Sequence, residues 1–195
     1  VGLCVIVGGT GFLATGISAK PEPSALEAAV ATRLRALAIP SSAKRRANPV
    51  PASPEAIAEG MSHWADHCAS CHGNNGDGQT EMGRGLYPRA PDMRLPGTQN
   101  LSDGTLFYII EEGVKFTGMP AWGTGTPEGE EASWKLVHFI RRLPKLTPEE
   151  IGKMEAMNPR SPEAADEEEE MRRFLEGRGP APKAGAKPMK HGGHK

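Results

Sequence analysis

The chain has 195 residues, 37% of them hydrophobic, with 24 Gly, 18 Pro and a formal net charge of −1. This length supports one modest core with extensions, and the lack of a basic excess excludes a nucleic-acid binder that works by neutralising phosphates. The charge is nonetheless segregated, with net +4 over residues 20–53 and net −4 over residues 54–146.

Residues 1–19 carry no charge. As a helix they span roughly 28 Å at ~1.5 Å per residue, about one hydrocarbon core. A transmembrane anchor is expected there, with the apolar part of a secretory signal as the alternative. Cys4, inside this run, reads as a small hydrophobe. Ser24-Ala25-Leu26-Glu27 has the form of a capping box, and Leu26, Val30, Leu34 and Leu37 follow at spacings of three and four. The pattern predicts an amphipathic helix over about 24–38, packed on a protein or lying on lipid. Pro40, Pro49 and Pro51 mark 40–53 as a linker, so 20–53 reads as helix plus linker.

Ser53-Pro54-Glu55 signals a second helix start, running through Ile57, Met61 and Trp64 into Cys68. Residues 73–97 are rich in Gly, Asn, Asp and Pro and read as irregular. Ser102-Asp103 caps a third helix ended by Gly113, and another is predicted over about 130–143, closed by Pro144. Residues 147–195 read as an acidic helix containing Glu167 and Glu170, then a tail too poor in apolar residues for a core of its own. Its His191 and His194 form a weak metal-binding candidate. No alternating strand pattern occurs, so the fold class is all-α.

His67-Cys68-Ala69-Ser70-Cys71-His72-Gly73 carries the chemistry. Such a Cys-x-x-Cys-His can ligate zinc, exchange disulfides or attach haem. Thiol exchange normally goes with a βαβ layout, and zinc needs a second ligand pair. Neither is evident. Haem attachment needs only two thiols one helical turn apart and an imidazole beside them. The open haem face then needs a ligand, and Met119, between Gly118 and Pro120 and 47 residues beyond His72, is the candidate. Met93 or an open position is the rival. Met61, Met82 and Met93 read as core filling. His63 and His67 precede the attachment site too closely to reach the far face, and His138 reads as an exposed polar residue.

With Cys68, Cys71, His72 and Met119-Pro120, and with Gly60-x-x-x-Trp64 before Cys68 and Phe139 in "VHFIRRL", residues 54–146 resemble a class I c-type cytochrome. The resemblance implies three to four helices around one covalent haem c, with His72 and Met119 as iron ligands. It also implies a glycine-mediated crossing of the N- and C-terminal helices, and a proline carbonyl, from Pro88 or Pro91, facing the proximal imidazole. Tyr87, Arg94 and Trp122 are candidates to contact the propionates or line the haem edge.

A haem closed by His and Met leaves one-electron transfer rather than catalysis as the expected role. Expected partners are a redox protein, the lipid bilayer and an integral membrane complex: quinol-oxidising, terminal oxidase or reaction centre. The alternative is the electron-accepting cytochrome subunit of a periplasmic dehydrogenase, and a gas sensor is a third reading. The expected location is the bacterial inner membrane, single-pass, with the haem domain on the periplasmic side.

Overall fold

The computed structural model describes residues 18–159 and 162–178, and every regular element among them is helical, with no strand. Helix α1, Ala25–Ala38, starts where the sequence predicts. Ser24 Oγ accepts from Glu27 N–H at 3.2 Å, but the box stays half-made because the Glu27 carboxylate accepts instead from the Tyr87 hydroxyl at 2.5 Å. No residue of α1 is buried.

Residues 40–53 are not a linker. Ile39 is buried, α2 (Ser41–Lys44) follows, and Ser102 Oγ donates to the Lys44 carbonyl at 2.8 Å. The chain then forms a strap, with the Arg46 guanidinium 4.5 Å over the Phe107 ring and the Asn48 amide donating to the Trp134 carbonyl at 2.9 Å. His138, expected to be exposed, is half-buried, with Nε2 2.7 Å from the Val50 carbonyl. Prolines set local φ values, but here tertiary partners decide where the segment goes.

Helix α3, Pro54–His63, is capped by Ser53 Oγ, which accepts from Ala56 N–H at 3.1 Å. It widens into a π-helical turn, Trp64–Cys68, and continues as α4, Ala69–His72. The stretch read as irregular contains a short helix, α5 (Glu81–Gly85), and the start of another, α6 (Pro96–Gln99). Helix α7, Asp103–Glu112, is capped by Ser102 and closed by Gly113 at φ 65°. Helix α8, Pro127–Arg142, starts three residues before the predicted 130, because Thr126-Pro127 repeats the cap of Ser53-Pro54. Helices α3 and α8 pack against each other around Trp64, Trp134, Phe139 and Ile140, all at most 2% exposed, with α7 against α8.

The packed unit continues past Leu146. Thr147 and Glu150 make both halves of a capping box that opens α9, Pro148–Glu155, and Met154 is wholly buried. Residues Pro159–Lys195 form a second unit, represented by α10, Pro162–Leu175. Among the described residues no helix is long and apolar enough to cross a membrane. Residues 1–17 of the expected anchor, Cys4, and the tail's His191 and His194 lie outside the described residues.

Candidate functional site

The π-helical turn and α4 put Cys68, Cys71 and His72 on one continuous helical stretch. Gly73 ends it at φ 75°, in the left-handed region where glycine pays no steric penalty. The Trp64 indole N–H donates to the Gly73 carbonyl at 3.0 Å, which pins that exit, and the Trp64 ring centre lies 5.7 Å from that of His72.

Past Gly73 the chain folds back on the same stretch. Gly78 N–H donates to the His72 carbonyl at 2.9 Å, and Thr80 Oγ1 donates to the Cys71 carbonyl at 3.0 Å. A β-carbon on Gly83 would overlap that Cys71 carbonyl, and one on Gly78 would stand 3.1 Å from the Pro91 carbonyl oxygen. These close approaches bring Pro91, not Pro88, to the imidazole. Sequence reasoning missed Thr80 and Gly83; Thr80 followed by Glu81 was the available signal for a helix cap.

His72 is half-buried, and its Nδ1 is wholly buried without a partner at hydrogen-bond geometry. Burial lowers its pKa, while the Pro91 carbonyl acts in the opposite sense by favouring a ring N–H. The balance leaves a neutral imidazole, the form that binds metal. Cys68 and Cys71 are free thiols, both partly buried. Burial first, and Cys71 second, push the Cys68 thiol up to about 12. A thiol-exchange site needs the reverse, a lowered pKa and a ready thiolate. Among the described residues no three His, Cys, Asp or Glu side chains are grouped to hold a metal ion.

Met119 sits apart, in the loop between α7 and α8. Val114 N–H donates to the Met119 carbonyl at 3.0 Å and Met119 N–H to Thr117 Oγ1 at 3.1 Å. The residue is partly buried. What joins the loop to the helical stretch is the chain from 86 to 91. Leu86 packs on Gly118 at one end of it, and Pro91 faces His72 at the other.

Other expectations resolve individually. Met61 and Met93 pack partly buried against the core, but Met82 is 57% exposed. Arg94 is taken by Asp92, with Nη2 at 2.7 Å, and Tyr87 by Glu27. Trp122 packs on the core and against the His67 ring, 5.3 Å between centres. His67 Nδ1 in turn meets the Asp66 carboxylate at 2.9 Å.

Two free thiols a turn apart, beside a neutral imidazole with one nitrogen buried and unsatisfied, fit a covalently attached haem and fit neither a zinc site nor a dithiol exchanger. Residues 55–140, somewhat under half of the chain, match the family model described as cytochrome C oxidase, cbb3-type, subunit III. The all-helical core, with Gly60 of α3 set against the Lys135 carbonyl of α8, and this site agree with the family match, which indicates a c-type cytochrome domain over residues 55–140 and so electron transfer. No curated protein matches the chain.

Proposed function

We propose that this chain is a membrane-anchored, mono-haem cytochrome c that relays single electrons within or to a bacterial respiratory oxidase complex. The observation that carries the reading is the buried His72 imidazole beside Cys68 and Cys71, inside the segment that matches an oxidase cytochrome subunit. A haem held there supplies an iron(III)/iron(II) couple. Cys68 and Cys71 would hold the ring by thioether bonds, and the His72 imidazole and the Met119 thioether would supply its iron ligands. The Pro91 carbonyl orients the imidazole and raises its basicity. Closed ligation by this pair favours electron transfer over substrate binding at iron.

The chain has a single Cys-x-x-Cys-His, which supports one haem. The charge-free run 1–19 supports an inner-membrane anchor with the haem domain in the periplasm, where covalent attachment takes place. The oxidase-subunit match supports a terminal oxidase over a quinol-oxidising complex or a reaction centre as partner.

The test is purification from native membranes in mild detergent. The expected particle contains oxidase subunits, and denatured chain retains one haem by mass and by its pyridine haemochrome spectrum. A flavin- or quinone-dependent dehydrogenase subunit in the particle would replace the oxidase reading. Loss of haem on denaturation would overturn covalent attachment.

A further inference from the structure

Helix α1 leaves Leu26 76%, Val30 48%, Leu34 61% and Leu37 81% exposed. At roughly 100° per residue these four fall within an arc of about 80°, a single apolar stripe. Nothing in the cytochrome domain covers it. Yet α1 is not loose. At its start Glu22 pairs with Arg89 at 2.7 Å, and Glu27 accepts from Tyr87. At its end Ile39 is buried and the strap begins. The helix is thus fastened to the domain at both ends with its apolar stripe exposed.

Three observations identify the occupant. Only five residues separate Ala25 from the charge-free run 1–19, a reach of at most about 18 Å at ~3.5 Å per residue. If that run is in a bilayer, α1 lies at its surface. The segment 20–53 carries net +4 while the domain it holds carries net −4, so anionic headgroups attract the arm and repel the domain. Arg33 stands at the edge of the stripe and Arg45 follows α2, both exposed, where long cationic side chains reach headgroups.

We propose that α1 is an interfacial helix, its Leu26, Val30, Leu34, Leu37 stripe seated at the headgroup–acyl boundary of an anionic bilayer. It thereby fixes the orientation of the cytochrome domain. This rests on the anchored reading above and adds to it: the haem domain does not swing on a tether. Through Tyr87 and Arg89 the arm holds segment 86–91, which links the His72 and Met119 sides of the site, beside the membrane. The partner surface it suits belongs to an integral membrane protein close to the lipid plane.

The test uses full-length holoprotein carrying Leu34→Trp, reconstituted in lipid nanodiscs containing phosphatidylglycerol, with the emission of the unsubstituted holoprotein subtracted. Replacing part of the lipid with a form brominated near the headgroup should quench the added indole about twofold or more, with the haem spectrum unchanged. Adding Val30→Asp should abolish the quenching while the chain still elutes with the discs. Unquenched emission from a chain that does elute with discs overturns the interfacial helix and leaves the anchor intact. A chain that fails to enter discs overturns both. Emission that responds to protein concentration and not to bromination assigns the stripe to a second copy and also overturns the proposal.

Discussion

Gly60 on α3 lies so close to Lys135 on α8 that a β-carbon would overlap the Lys135 carbonyl and stand 3.0 Å from the Phe139 β-carbon. Neither obstacle is the end of a flexible side chain. Gly60→Val should therefore separate the two helices that make the core and destabilise the domain by about 3 kcal/mol or more. Gly152, inside α9, has nothing within 4 Å of the corresponding position, and Gly152→Ala should stabilise by roughly 0.5–1 kcal/mol through helix propensity. Urea titration of the holoprotein checks both.

The strap gives a second expectation. If the chain between α1 and α3 were a tether, substitutions there would leave stability unchanged. Because Ile39 is 5% exposed, Ile39→Ala should cost about 2–3 kcal/mol. Asn48→Ala removes the donor to the Trp134 carbonyl and should cost about 1 kcal/mol. Thermal unfolding of these variants, with wild-type haem spectra at 25 °C, is the measurement.

Met119→Leu preserves volume, and the loop's main-chain bonds from Val114 and Thr117 do not depend on the thioether. The variant should fold, lose the methionine-to-ferric charge-transfer band and show a lowered reduction potential. An unchanged spectrum would move the distal role to another side chain, Met93 first.

Acid stability should depend on Glu150. The Thr147 N–H, donating to its carboxylate at 2.7 Å, is the largest influence holding its pKa below the ordinary 4.5; Arg142 adds to this and burial opposes it. A depressed folded-state pKa contributes stability in full above the unfolded value and loses it as pH falls through the folded one. Glu150→Gln should therefore narrow its stability deficit to wild type as pH drops below about 4.5. A constant gap across that range would contradict the assignment.

Helix starts were legible in the sequence wherever a cap stood beside a periodic run, as at Ser24, Ser53 and Ser102, because capping is satisfied within four residues of chain. The Cys68, Cys71, His72 spacing was equally local and narrowed the chemistry to zinc ligation, thiol exchange or haem attachment without coordinates. Gly60 four residues before Trp64 pointed to the helix crossing only through the resemblance to class I c-type cytochromes. By contrast, Thr126-Pro127 was passed over as a cap because the apolar pattern that would have flagged it begins several residues later.

What the sequence by itself determined is the longer helices that begin at or near Ser24, Ser53, Ser102 and residue 130, the charge segregation and the haem-type motif, all of them consequences of neighbours along the chain. Tertiary structure alone decided that 39–53 is part of the packed unit, that Pro91 rather than Pro88 meets His72, that His138 turns to the Val50 carbonyl, and that the stripe of α1 stays uncovered. The first three depend on partners 19 to 88 residues away, and the last on no described residue packing against the stripe. Proline content restricts φ and removes a donor, but it does not say whether the remaining carbonyls and side chains find water or find the core.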